Sequence, residues 1–232
     1  MARMTLASSV RDRLMETSLV YRLWQAPFAD QKLAPVLGDI DVRRVGRVLD
    51  LACGPGTNAH HFDARSYTGV DINQAYIERA RGRYEGRFIV ADATAPSMLI
   101  GERFDFILVN SFLHHLGTDA VAKTLVRVNE LLGDDGQVHV LDLVLPPRPG
   151  LARILARADR GNYARPIADW RDLLERSFEP VFLEPFALTV AGIPLWNMFH
   201  FKGRKRADDS PVTRASSEAC FSSELASTPA SR

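Results

Sequence analysis

Between Arg47 and Val144 the chain alternates short apolar, β-branched runs with helix-length segments, and the first four runs begin about 20 residues apart. The runs are Val48-Leu49, Tyr67 to Val70, Phe88 to Ala91, Asp105 to Val109 and Val138 to Val144. Runs of this length, apolar on both faces and separated by crossover-sized spacers, predict parallel strands with helices on both sides of the sheet. The clearest helix follows Thr118, where Val121, Leu125, Val128 and Leu132 keep a helical spacing until Gly133 and the Asp134-Asp135-Gly136 turn. The fold class is therefore α/β with a doubly wound, mostly parallel sheet.

The flanks follow other rules. Val10, Leu14, Tyr21 and Trp24 recur at helical spacing, and a second segment runs from Asp30 to about Leu37, so residues 1–43 are read as an N-terminal helical cap. Pro146 to Gly150 breaks the core pattern, and helices are expected at 151–160 and 168–177. The apolar runs Val181 to Val190 and Leu195 to Phe201 are joined by only Ala191-Gly192-Ile193-Pro194, too short for a parallel crossover, so the last strands are expected to pair antiparallel. The main domain is placed at 44–204, and the serine-rich stretch 205–232 is read as a disordered tail.

Composition excludes several classes. With 46% hydrophobic and 25% charged residues in 232, the chain reads as one soluble domain, and its formal charge of +1 gives no field that would gather nucleic acid. Cys53 and Cys220 make no disulfide framework, and neither a secretory leader nor an apolar run of ~18 residues is present, so a cytoplasmic location without an integral membrane segment is expected.

The loop Asp50-Leu51-Ala52-Cys53-Gly54-Pro55-Gly56 follows the first strand, where open α/β sheets bind ligands and where glycine lets backbone approach them. A helix start is expected just after it, offering N–H groups to an anionic group. Asp50, Asp71 and Asp92 fall at the expected strand ends, 21 residues apart each time, and Asn110 closes the fourth strand. An acid about 20 residues past such a loop accepts ribose hydroxyls, the role given to Asp71. Gly54, Gly56 and Ala59 also satisfy a dinucleotide spacing, which keeps NAD(P) and an oxidoreductase open. Against it, Asp50 at the loop mouth would repel a pyrophosphate and attract an ammonium.

Taken together, these motifs resemble the class I S-adenosylmethionine-dependent methyltransferases, particularly their small-molecule, quinone-biosynthesis-like branch. The resemblance covers about residues 44–203 and rests on Val48 to Gly56, Gly69-Val70-Asp71-Ile72, Ala91-Asp92-Ala93, Phe104 to Leu116 and Leu131 to Gly136. It implies a Rossmann-like sheet of seven strands with the last antiparallel, and S-adenosylmethionine as cofactor. It also implies that Asp50 meets the methionine ammonium, Gly54 and Gly56 its aminoacyl chain, Asp71 and Ile72 the ribose side, Asp92 and Ala93 the adenine, and Asn110 the sulfur through its backbone. Tyr21 and Gln25 resemble residues that reach the cofactor carboxylate in some members. One departure stands in the loop, where Ala52 occupies a position that is usually glycine.

Methyl transfer asks the protein chiefly to position a nucleophile, helped by a base if the acceptor is a hydroxyl. His114 or His115, just after the fourth strand, is suited to that role, though adjacent residues on a turn diverge and only one is expected to face the pocket. The other doublet, His60-His61, is assigned to the first crossover helix, and no metal site is expected. The acceptor pocket is placed among Tyr21, Trp24, Phe28, Phe112, Tyr163 and Trp170, which favours a small apolar or aromatic acceptor and transfer to oxygen. Arg153, Arg157 and Arg160 form a basic face with a solvated reading and an anion-binding one. A cofactor-binding subunit without turnover is the remaining alternative.

Overall fold

The computed structural model describes residues 28–95, 97–158 and 163–206. Its centre is β1 (Val48–Leu51), whose four residues are all buried. It pairs in parallel with β2 (Tyr67–Asp71) on one side and β4 (Phe104–Asn110) on the other. With β3 (Arg87–Val90), β5 (Leu132–Leu143), β6 (Phe178–Val190) and β7 (Ile193–Lys205) the sheet has seven strands in the order β3-β2-β1-β4-β5-β7-β6. The direction of winding reverses between β1 and β4, which opens a crevice at the carboxyl ends of those strands. β7 runs antiparallel to both β5 and β6, as the short connector requires.

Two layers of apolar side chains cover the sheet. On one face Leu49, Leu51, Ile107, Val109, Val138 and Val140 meet α3 (Thr118–Leu131) and α5 (Ile167–Ser177) through Val121, Leu125, Val128, Trp170 and Leu174. On the other, Val48, Phe106, Leu108 and Leu141 pack on α1 (Ala29–Asp39) and α2 (Gln74–Arg83) through Leu33, Val36, Ile77 and Ala80. Each such buried aliphatic side chain contributes roughly 1.5–3 kcal/mol. α4 (Leu151–Ala158) closes a third cluster, in which Ala156 joins Phe28, Leu188, Trp196 and Met198.

Several expectations are corrected here. The helix expected after the glycine loop does not form: Ala59–His61 make a single 3-10 turn, because Asp63 captures the Arg65 N–H at 3.0 Å and turns the chain back into β2. The β3 to β4 connection is likewise built of turns and not a helix among the described residues. Trp170 is fully buried, donating from Nε1 to the Leu143 carbonyl at 2.9 Å, and Phe28 is buried in the third cluster, so both are core and not pocket residues. Gly133 to Gly136, expected as a turn, belong to β5, where a Cβ on Gly136 would stand 2.9 Å from the carbonyl oxygens of Gly133 and Phe104, so this close strand passage needs glycine. The 1–43 cap is described only from Phe28 onward, and residues 207–232 and Arg160 lie outside the described residues. No helix among the described residues is long and apolar enough to cross a membrane.

One buried polar pair sits within the second layer. His139 Nδ1 lies 2.9 Å from His200 Nε2 between β5 and β7, His139 stacks on Phe106 with ring centroids 4.8 Å apart, and its Nε2 has no hydrogen-bond partner among the described residues. Burial, then the neighbouring His200 and Lys202, push His139 down to about 3, with Asp39 opposing. Burial and Lys202 push His200 down to about 4, again against Asp39. Unfolded histidine near 6.5 binds protons that these two do not, so their contribution is intact above about pH 6.5 and is lost as pH falls toward 4. The expected slope is ~1.4 kcal/mol per pH unit per histidine in that window. Denaturant unfolding of wild type and His139→Asn at pH 7 and 5 checks this: the variant should lose part of the pH dependence, whatever its absolute stability.

Candidate active site

β1 brings Asp50 to the carboxyl end of the sheet with its side chain on the α1/α2 face, two residues on from Val48. The carboxylate is 1% exposed. Its Oδ2 accepts from the Tyr67 hydroxyl at 2.6 Å and from Asn58 Nδ2 at 3.2 Å, while Oδ1 is buried without a hydrogen-bond partner among the described residues. Burial raises the acid to about 6, against the lowering effect of the Tyr67 and Asn58 hydrogen bonds. A buried carboxylate oxygen without a donor costs free energy that an arriving cation would offset. That unpartnered atom is what an aminoacyl ammonium fits.

The loop above Asp50 is shaped by left-handed backbone. Ala52, Gly54 and Gly56 have φ of 59°, 56° and 77°. At Gly56 a Cβ would come within 3.1–3.2 Å of Ala80, Tyr84 and Phe88, so this glycine lets the loop pack onto α2 and β3. Ala52 takes the left-handed conformation at a cost of roughly 1–2 kcal/mol, the expense of departing from glycine there. Cys53 is 4% exposed, and burial followed by the charges of Asp50 and Asp71 drives its thiol far up, which makes it a loop-filling residue and not a nucleophile.

Asp71 ends β2 and braces this loop. Its Oδ2 accepts the Gly54 N–H at 2.9 Å and its Oδ1 accepts the Asn73 N–H at 2.8 Å, so one carboxylate holds both the loop and the start of α2. Each oxygen keeps a second lone pair for a hydroxyl. Ile72 beside it is 69% exposed, an apolar side chain standing at the rim of the crevice. Asp92 caps a turn through Thr94, whose Oγ1 and N–H donate at 2.7 and 2.8 Å and hold the acid below its ordinary range. Ala93 is buried behind it. Asn110 closes β4, its Oδ1 accepting from Ser111 Oγ at 3.0 Å. Asp50, Gly54, Asp71, Asp92 and Asn110 thus gather around the ends of β1 to β4, whereas Tyr21 and Gln25 lie outside the described residues.

The two histidines after β4 separate cleanly. His114 is buried, with Nδ1 2.5 Å from Asp142 Oδ1, and His115 beside it is exposed. Asp142, fully buried near the end of β5, also accepts the Leu113 N–H at 2.7 Å and the Leu143 N–H at 2.6 Å. Burial pushes this acid up, but the His114 charge and hydrogen bond together with the two N–H groups outweigh it and hold the carboxyl below its usual range. Asp142 alternates with Val138 and Val140, so it faces α3 and α5, on the opposite side of the sheet from Asp50. β1 and β5 are separated by β4 alone, a gap of about 10 Å at ordinary strand spacing.

Asp142 and Arg165 were not read from the sequence as site residues. Asp142 signals itself only as an acid inside the apolar run Val138 to Val144. Arg165 is 7% exposed, donates to the carbonyls of Leu116 at 2.8 Å and Tyr163 at 3.0 Å, and lies 4.9 Å over the Trp170 ring. It ties the 163–165 segment to the turn that carries His114, whose carbonyl accepts the Tyr163 N–H at 3.1 Å. Arg153 donates to the Pro146 carbonyl, and Arg157 is exposed one turn further along α4.

Comparison with known proteins agrees with this geometry. Residues 48–136 match the family model described as a methyltransferase domain. A trans-aconitate 2-methyltransferase of Paracidovorax citrulli is 31% identical over 98 residues, 39% of this chain and 38% of that protein. The chain therefore matches well under half of that curated relative's length. Among solved structures, an S-adenosylmethionine-dependent methyltransferase from Clostridium acetobutylicum superposes with a TM-score of 0.63 at 14% identity, covering 82% of this chain and 98% of that one. The mitomycin 7-O-methyltransferase MmcR gives 0.62 at 18% identity, covering 83% and 60%. At such identities the two structures show the shared fold.

Replacing Asp50 by Asn provides a direct check on the loop. The folded pKa near 6 exceeds the unfolded value near 3.8, so the native state binds the extra proton between them. Stability from this group is present below about pH 4 and is lost as pH rises through 6, roughly 3 kcal/mol in all. Asp50→Asn should therefore leave the ligand-free protein at pH 8 as stable as wild type or more so by thermal melting, while weakening S-adenosylmethionine at least tenfold by calorimetry. Residues 48–136 thus match a methyltransferase domain, within a sheet whose fold is shared with solved S-adenosylmethionine-dependent methyltransferases.

Proposed function

We propose that this protein moves a methyl group from S-adenosylmethionine to an oxygen of a small, mostly apolar or aromatic acceptor, with His114 as the base. The observation that carries this reading is the buried contact of His114 Nδ1 with Asp142 Oδ1 at 2.5 Å, next to the cofactor end of β4. When bound, the cofactor supplies a methyl group on a sulfonium that is already a good leaving group. The chain's own residues then have three tasks. Asp50, the loop and Asp71 hold the cofactor ends; Asp142 fixes the orientation and tautomer of His114 and stabilises its protonated form; and His114 takes the acceptor proton through Nε2, the nitrogen that Asp142 does not engage.

Half-buried Phe112 and exposed Tyr163 flank the same turn and support an apolar or aromatic acceptor. Transfer to oxygen is further supported by the name of the structural relative MmcR, a 7-O-methyltransferase. The name of the curated relative, a trans-aconitate 2-methyltransferase, adds carboxylate-bearing acceptors to the panel to be screened. Asp50 with its unpartnered oxygen supports this cofactor over NAD(P), since a pyrophosphate there would meet a buried negative charge.

Formation of S-adenosylhomocysteine over a panel of phenols, alcohols and carboxylic acids tests the reading. With a productive acceptor, His114→Gln and Asp142→Asn should each lower kcat by roughly 10²- to 10³-fold with cofactor affinity unchanged. His115→Ala should stay within about threefold of wild type. Equal losses at His114 and His115, or unchanged rates at both, would remove the base assignment. Tight cofactor binding with no turnover across the panel would favour a non-catalytic subunit.

A further inference from the structure

Asp30 and the adjacent pair His60-His61, 30 residues further along the chain, meet where α1 passes the turn after the glycine loop. Asp30, in the first turn of α1, and His60 and His61, in the 3-10 turn Ala59–His61, each offer one ligand atom, and these atoms lie within 4.8 Å of one another. The two imidazole rings are 3.8 Å apart at their centroids and tilted by 39°. Asp30 and His60 are exposed and His61 is half-buried, so the side chains have room to close by the short distance that ligation requires. None of the three side chains makes a hydrogen bond or ion pair among the described residues. Arg43 donates to the His60 carbonyl at 3.5 Å and does not engage the ring.

We propose that Asp30, His60 and His61 form a site for a divalent transition ion of the zinc class. Two imidazoles and one carboxylate are borderline donors that suit zinc, cobalt or nickel, whereas calcium and magnesium prefer shells of oxygen. Three protein ligands leave at least one coordination position for water, the composition of an open site. The ion would join α1 to the segment that begins with Asn58, the residue that donates to Asp50 at 3.2 Å. Its occupancy would thus bear on how firmly the cofactor loop is held to the rest of the fold. The site lies outside the crevice at the ends of β1, β4 and β5 and does not depend on the methyltransferase reading.

The test uses the full chain, stripped with chelator, titrated with Zn²⁺ by calorimetry and with Co²⁺ by visible absorption at neutral pH. One ion per chain with a dissociation constant in the micromolar range or tighter is expected, with a cobalt spectrum of reduced coordination number. Asp30→Ala, His60→Ala and His61→Ala should each weaken zinc by at least about tenfold, whereas His115→Ala should not. Ligand-free melting curves of the variants report whether they fold. If one does not, Co²⁺-induced broadening of the His60 and His61 ring signals in wild type, with His115 unaffected, decides the question. Affinity unchanged in the triple variant, several weak ions per chain, or broadening at His115 alone would overturn the site.

Discussion

Much of the cofactor end of this fold hangs on a single buried carboxylate. Asp50 is carried into the sheet by a strand with no exposed residue, and two donors hold one of its oxygens while the other has none among the described residues. Tyr67, which gives the short 2.6 Å bond, comes from β2, and Asn58 comes from beyond the glycine loop, so the acid stitches together the pieces that must stay in place around a ligand. Asp71 completes the arrangement from outside by holding Gly54. The native state tolerates an incompletely satisfied acid because the strands on either side leave it nowhere else to go. This is the usual trade at a binding site, where local stability is given up for affinity.

A second buried acid, Asp142, solves the same problem differently. It accepts from His114 and from two backbone N–H groups, so its charge is fully met within the protein. Asp50 is raised and Asp142 is lowered from the same ordinary carboxylate range, although both are buried. Environment alone separates them: one is buried with an oxygen lacking a donor among the described residues, and the other spends its charge on an imidazole and two N–H groups. They project from opposite faces of the sheet on either side of β4, which leaves the end of that strand, with Asn110, between the two acids.

The strands were legible in the sequence because a sheet covered on both faces needs continuous apolar runs, and β1, β2 and β4 are such runs. The acids at their ends were legible for a related reason, since a charge just after an apolar run must lie at the rim. The turn at Ala59–His61 was misread as a helix because its residues permit one, and only the Asp63 contact with Arg65 shows that the chain turns back instead. Trp170 looked like a pocket aromatic because composition does not say which face of α5 meets the sheet. Asp142 lay hidden inside an apolar run, where its partner His114 is 28 residues away. The cluster of Asp30 with His60 and His61 is likewise long-range, and scanning for local ligand spacing passes over it.

The central claim is that the unpartnered oxygen of Asp50 receives the cofactor's positive charge. Calorimetric titration with S-adenosylmethionine at pH 5.5 and pH 8, in buffers of different ionisation enthalpy, measures this most directly. Because ligand-free Asp50 titrates near 6, binding at pH 5.5 must expel the proton it holds. Release of about half a proton or more per site at pH 5.5 and almost none at pH 8, with weaker affinity at the lower pH, is the predicted result. Proton exchange absent at both pH values, or NAD binding more tightly than S-adenosylmethionine, would contradict the account.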